Sequence, residues 1–204
     1  MSKAWFTSDW HLFSTNFLKN PLRVGFSSVE DMNTTILSNI FEQVKPGDNL
    51  YFLGDIGQKF PENYLSTLFN NFKKHRINFH WIEGNHDKDI HIDNSSIKWR
   101  GQIKDIVVNK QAITLSHYPL IVWNKSHYDA WNLFGHIHYQ DNTWNTLSKI
   151  SKDECILLKS KRCNVNIELY NFKPLEFEEI KLFFNVEYFE GSKIYKNFDL
   201  IERK

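Results

Sequence analysis

Cysteine is scarce in this chain. Cys155 and Cys163 are the two present, and they sit in no metal-knuckle or redox spacing. They read as ordinary thiols of a reducing compartment, and a Cys-rich structural zinc site is excluded. Long apolar runs are also missing: none approaches the ~20 residues needed to cross a bilayer. The N-terminal stretch from Met1 to His11 has no basic segment followed by an apolar core, so no signal peptide is expected. These features lead to the expectation of a cytoplasmic protein with no membrane association. Neither sign of charge dominates, with a formal net charge of +1 and a pI near 7.8. Composition therefore argues neither for nor against nucleic acid, although a neutral average can hide a local basic patch. Internal repeats and low-complexity tracts are absent, and no clear domain boundary interrupts the 204 residues. That length suits a single domain, 1–204, with a sizeable core. Aromatics are plentiful, with seven Trp and seventeen Phe, and most should be core because large apolar side chains supply most buried area.

The first half of the chain alternates. Lys3 to Ser8 is a short strand candidate that delivers Asp9 and His11, whose i, i+2 spacing puts both on one side if the backbone stays extended. Leu12 to Phe26 reads as a loop and holds Arg23 in an otherwise apolar setting. Ser27 with Glu30 fits a capping box, after which Val29, Met32, Ile36, Ile40 and Val44 recur at helical spacing until Pro46-Gly47. Leu50 to Leu53 is an apolar strand ending at Gly54-Asp55. Pro61 opens a second helix with Leu65, Leu68, Phe69 and Phe72 inward, and Ile77 to Ile82 is a strand running into Glu83-Gly84-Asn85-His86-Asp87. Such alternation predicts parallel β-α-β units, whose ligands gather beyond the carboxyl ends of the strands. The second half departs from it. Asp105 to Val108 and Ala112 to Leu115 flank an Asn109-Lys110 hairpin turn, and Trp131 to Phe134 is a strand leading to Gly135-His136. Tyr139 to Arg162 is a long polar connection, Cys163 to Leu169 a strand, Glu176 to Phe184 a helix, and the tail a hairpin about Gly191-Ser192.

Five of these strand ends carry polar clusters: Asp9-Trp10-His11, Gly54-Asp55, Asn85-His86-Asp87, Ser116-His117 and Gly135-His136-Ile137-His138. Carboxylate and imidazole together suit first-row divalent ions such as Mn, Fe, Co, Ni or Zn, and two such ions, with Mn expected, are the cofactor reading. Two such ions about 3.5–4 Å apart activate a hydroxide and clamp a phosphate. One carboxylate must span both, and Asp55 is the candidate. Arg23 is a candidate phosphate contact through its bidentate guanidinium, with a structural ion pair as the alternative. Trp10, Tyr118 and Tyr139 adjoin these clusters, either to stack a base or to pack the rim. Lys159 to Arg162 is either a phosphate contact or a solvated charged turn. His75, His80, His91 and His127 read as ordinary structural or surface histidines.

The ordered series DWH, GD, GNHD, H and GHIH resembles the five-block signature of the calcineurin-like metallophosphoesterase superfamily, from Asp9 to His138. The stretches SHYPL, NVNIELYNFKPLEFEEI and SSVEDMN are similar to a small bacterial and phage-type subfamily. This places the recognisable core at about 3–180 and a C-terminal extension at 181–204. The resemblance implies an α/β fold of two packed β-sheets flanked by helices, a four-layer α-β-β-α sandwich. It implies that Asp9, His11, Asp55 and His138 hold one metal, that Asp55, Asn85, His117 and His136 hold the other, and that His86 stabilises and protonates the leaving oxygen. Asp87 would fix the His86 tautomer, with a helix-capping or loop-satisfying role as the alternative. Where several relatives carry a Gly-His pair after the first block, this chain has Phe13-Ser14-Thr15, so any substrate role of that histidine does not transfer. The expected activity is hydrolysis of a phosphate ester, with phosphodiester or nucleotide-type substrates, nucleic acid included, favoured. A phosphomonoesterase or protein phosphatase, and a catalytically silent metal-binding scaffold, are the alternatives.

Overall fold

The computed structural model describes residues 2–92, 95–138 and 161–185. In chain order the strands are β1 (Ala4–Thr7), β2 (Asn49–Phe52), β3 (Asn78–Ile82), β4 (Ile97–Gly101), β5 (Ile103–Val108), β6 (Gln111–Ser116), β7 (Trp131–Phe134), β8 (Arg162–Asn164) and β9 (Leu175–Glu176). The helices are α1 (Val29–Gln43), α2 (Tyr64–Lys74) and α3 (Phe177–Asn185). They build two sheets, one ordered β4-β3-β2-β1-β9 and one ordered β5-β6-β7-β8. In the first sheet β1 to β4 run parallel and β9 is antiparallel to β1. In the second, β5 and β6 form an antiparallel hairpin while β6, β7 and β8 are parallel.

The near-continuous apolar character of β1, β2 and β3 follows from burial on both faces. Trp5, Leu50, Phe52, Phe79 and Trp81 point toward the helices and meet Ile36 and Ile40 of α1 and Leu68, Phe69 and Phe72 of α2. Phe72 lies flat on Phe79, with ring centroids 4.8 Å apart. The alternate residues Ala4, Phe6, Tyr51, Leu53 and Ile82 face the second sheet, packing with Ile113, Leu115, Trp131 and Leu133, and α3 adds Phe177 and Ile180 to this layer. On the outer face of the second sheet the segment 118–130 is bonded to β7 and β5, while Ile103 and Val107 of β5 stay exposed. Asn132 accepts from the Leu120 amide at 3.1 Å, and Asn124 donates to Asp105 at 2.9 Å. The architecture is an α/β sandwich, as expected. No helix of the described residues is long and apolar enough to cross a membrane.

Local departures have local causes. The cap of α1 is one residue later than Ser27 with Glu30: Ser28 accepts from the Asp31 amide, while Ser27 donates to the Asp31 carboxylate. The hairpin turn at Asn109 and Lys110 has both residues at positive φ, 48° and 71°, as a two-residue primed turn requires. Strand β4, half-buried at the sheet edge, lacks the apolar run that would announce it. The expected strand from Cys163 to Leu169 stops at Asn164. There the side chains of Asn164 and Asn166 accept from the amides of Asn166 and Glu168, and the chain turns into a 3-10 segment, Ile167–Tyr170. Residues 139–160 and the tail hairpin lie outside the described residues.

His80 stacks on Tyr51 at 4.6 Å. Burial, with Lys104 and Lys98 adding like charge, pushes its imidazole from 6.5 down to about 4. The unfolded chain therefore takes up this proton first, and His80 subtracts stability progressively as pH falls from 6.5 toward 4. Urea unfolding at pH 7 and pH 4.5 should show a smaller drop in stability for His80→Phe than for wild type. Equal drops would show that His80 is not one of the acid-sensitive groups.

Candidate metal centre

The five polar clusters leave the carboxyl ends of β1, β2, β3, β6 and β7, so packing the two sheets face to face brings them to one end of the sandwich. The loops interlock through the backbone. Asp9 and His11 amides donate to Gly54 and Asp55 carbonyls at 2.8 and 3.0 Å, the Gly135 amide donates to the His117 carbonyl at 2.9 Å, and the His136 amide donates to the Asp9 carboxylate. Contact this close requires glycine. A Cβ on Gly84 would lie 2.2 Å from Asp55 Oδ1, and one on Gly54 would lie 2.5 Å from the Gly84 amide nitrogen. Asp9, His11, Asp55 and His136 all adopt positive φ, between 47° and 68°, a conformation uncommon for residues with side chains and concentrated at functional sites. Asp9 and His11 thus converge through left-handed turns, not through the extended backbone that their spacing suggests.

Two groups of side chains result: Asp9, His11 and His138, and Asp55, His117 and His136. In the first, His11 Nε2 is 3.1 Å from His138 Nε2, and His138 Nε2 is 3.4 Å from Asp9 Oδ1. In the second, His117 Nε2 is 3.1 Å from Asn85 Oδ1 and 3.4 Å from Asp55 Oδ2. Asp55 Oδ2 also lies 3.7 Å from His11 Nε2, so this one oxygen sits between the groups. Donor atoms each about 2.1 Å from a shared divalent ion are about 3.0–3.4 Å apart, which these spacings approach. The ring tautomers agree. His117 Nδ1 donates to the Leu53 carbonyl at 2.7 Å, and His138 Nδ1 lies 2.9 Å from Glu168 Oε2, which leaves both Nε2 lone pairs facing inward. Lone pairs and carboxylate oxygens pointed at one another at this range need a proton or a metal ion among them. The residues present fit a divalent metal.

The same crowding shapes the acid–base balance of the metal-free chain. Burial pushes His138 down, but Asp9 and Glu168 together outweigh it and lift the ring to about 9. Burial and the neighbouring His138 drive His11 well below its ordinary value. Burial raises Asp55, but His117, the His86 amide and His11 bring it down to about 2. Asp55 is thus a carboxylate throughout the physiological range. His86 is exposed at the mouth of this centre, with its amide on Asp55 Oδ1 at 2.9 Å and its ring centroid 5.5 Å from that of His11.

Two of the sequence-based roles require correction. Asp87 is fully buried and does not orient His86. Its carboxylate accepts from the amides of Asp55, Ile56 and Gly84 and from Trp81 Nε1, all at 2.8–3.0 Å, and so ties the β2 loop to the β3 loop. Arg23 is fully buried too and presents no guanidinium to the cleft. Its Nε donates to Glu168 Oε1 at 2.5 Å, Nη1 to the Trp10 carbonyl and Nη2 to the Asp9 carbonyl. Of the aromatic neighbours, Trp10 is core, with its Nε1 on Thr7 Oγ1, whereas Tyr118 is half-exposed with its ring 4.5 Å from His136. Tyr139 is outside the described residues. Sequence reasoning missed Glu168 and Phe17. Phe17 stacks on His11 at 3.6 Å, from a 3-10 turn inside a segment read only as loop. Glu168 had one available signal, the Asn-x-Asn-x-Glu spacing that favours consecutive side-chain turns over a continuous strand.

The sandwich gathers Asp, His and Asn from its strand ends into two candidate metal-ligand groups. The family model described as calcineurin-like phosphoesterase matches residues 2–190, and the chain belongs to that family. It is 29% identical over 184 residues to the uncharacterized protein MJ1445 of Methanocaldococcus jannaschii, covering 88% of this chain and 90% of that one. A crystal structure of AQ665 from Aquifex aeolicus, a protein of unknown function, shares the fold with a TM-score of 0.67 at 24% identity, covering 89% of this chain and 99% of that one. The nuclease MPE of Pseudomonas putida is a more distant likeness, with a TM-score of 0.44 and 19% identity over 66% of this chain and 60% of its own.

Asp87→Asn would turn an amide NH2 toward N–H donors and should lower stability by about 2–3 kcal/mol in urea unfolding. A variant that keeps wild-type stability and loses only turnover would restore the tautomer-fixing role instead.

Proposed function

We propose that this chain is a single-domain phosphoesterase that hydrolyses a phosphodiester or nucleotide-type ester at a dinuclear divalent-metal centre, with manganese favoured. The observation that carries the reading is the placement of Asp55 Oδ2 between His11 and His117, 3.7 and 3.4 Å away, at the junction of two donor groups. Asp9, His11, Asp55 and His138 would hold one ion, and Asp55, Asn85, His117 and His136 the other. When bound, two such ions supply Lewis acidity, bringing the pKa of a water toward neutrality and neutralising phosphate charge. The family match over residues 2–190 supports the reaction class and the single-domain reading.

The protein's own groups divide the remaining work. His86 is the exposed imidazole beside the donor groups, and it delivers a proton to the departing ester oxygen as general acid. Its backbone amide, bonded to Asp55 Oδ1, keeps it in register with the shared carboxylate. Tyr118, half-exposed against His136, offers a face on which a base or aryl group can stack, which supports nucleotide-type substrates. The chain's two cysteines, with Cys163 buried as a free thiol, support a reducing, cytoplasmic setting.

Chelator-stripped protein given Mn²⁺ should hydrolyse bis-p-nitrophenyl phosphate faster than p-nitrophenyl phosphate. The opposite order would favour a monoesterase or protein phosphatase, and silence toward both with metal bound would favour a scaffold. His86→Ala should retain both ions by elemental analysis and lose about 10²–10⁴-fold in turnover. Asp55→Asn should lose metal occupancy itself. Normal activity in either variant would overturn the assignment of roles.

A further inference from the structure

We propose that Glu168, held by Arg23, is a positioning residue that makes the two donor groups unequal, so that the Asp9, His11 and His138 side takes up a divalent ion first. The inference rests on the reading of these groups as metal sites and concerns how they differ.

The difference lies behind the imidazoles. His138 has a carboxylate at its outer nitrogen, Glu168 Oε2 at 2.9 Å, whereas His117 has a neutral backbone carbonyl, Leu53 O at 2.7 Å. A hydrogen bond to a charged acceptor is roughly twice as strong as a neutral one, and it makes the inner nitrogen a better electron donor to a metal. Glu168 cannot drift from this position. Its other oxygen is gripped by Arg23 Nε at 2.5 Å, both side chains of the pair are fully buried, and the Glu168 amide is bonded to Asn166 Oδ1. The same guanidinium reaches the Asp9 carbonyl at 2.6 Å and the Trp10 carbonyl at 2.9 Å, so it also holds the turn that presents Asp9 and His11. One buried ion pair therefore fixes the loops that carry every donor of the first group. The corresponding clamp on the other side, Asp87, binds backbone amides and Trp81 and touches no donor ring. Ligand charge points the same way. The first group has an aspartate of its own, Asp9, where the second has the uncharged Asn85, and Asp55 lies between both.

Metal-stripped full-length protein titrated with Zn²⁺ tests the order by the imidazole ¹⁵N resonances. The first equivalent should move His11 and His138, and the second His117 and His136. By calorimetry, Glu168→Gln should weaken the tighter of two binding steps by about 10–100-fold and leave the weaker one in place. Movement of His117 and His136 first, or of all four rings together, would overturn the inference, as would an unchanged tight step in Glu168→Gln. Thermal melting checks that this variant folds with Arg23 facing a neutral amide; if it does not, the order of ring shifts in wild type decides. Absence of any saturable zinc binding would instead refute the metal-site reading on which the inference rests.

Discussion

The centre depends on holding like groups together. Carboxylate oxygens and imidazole lone pairs from five separate loops lie within about 3–4 Å of one another, an arrangement that repels itself without a cation. Two buried ionic devices oppose that repulsion. The Asp87 carboxylate gathers backbone N–H groups from the loops after β2 and β3, and the Arg23–Glu168 pair joins the loop after β1 to the ring of His138. Neither reaches the solvent-facing edge of the cleft. Their charges stay inside the fold because each is met by several hydrogen bonds, the condition under which a buried charge is tolerated.

The arrangement separates the buried donor groups from the exposed side chains at the rim. Asp9, His11, Asp55 and His117 are almost completely buried, while His86 and Tyr118 stand exposed at the rim. As the proposed proton donor, His86 would have to meet substrate and exchange with water, and it lies outside the sealed layer. Donors of a metal centre gain from exclusion of water, because every electrostatic contact strengthens as the local dielectric falls. The positive φ values of Asp9, His11, Asp55 and His136 fit this division: the backbone conformation is costly, and the interlocked loops over-determine it.

Much of this was legible in the chain. The helical spacing of Met32, Ile36 and Ile40 and the apolar runs of β1, β2 and β3 define elements whose periodicity is strong. The clusters at strand ends follow from the tendency of parallel sheets to place polar chemistry beyond their carboxyl ends. Weak elements were not legible. Strand β4 borrows its stability from pairing with β3 and shows no apolar run of its own. The segment after β8 alternates like a strand, yet the side chains of Asn164 and Asn166 capture backbone amides and turn it.

The sequence by itself determined which residues carry chemistry: the five clusters, their order, the glycines beside them and the family they resemble. These are legible because metal donors and close-approach glycines are limited to few residue types. The tertiary structure alone decided what the charged residues next to those clusters do. Asp87, inside the third cluster, and Arg23, in the loop after the first, could each be read as serving the reaction or the scaffold, and both turn inward to brace the loops. Glu168, 30 residues beyond the last of the five clusters, arrives against His138. Whether a charged side chain faces a cleft or a backbone amide depends on how loops from different strands cross, and that is a property of the packed sheets, not of local sequence.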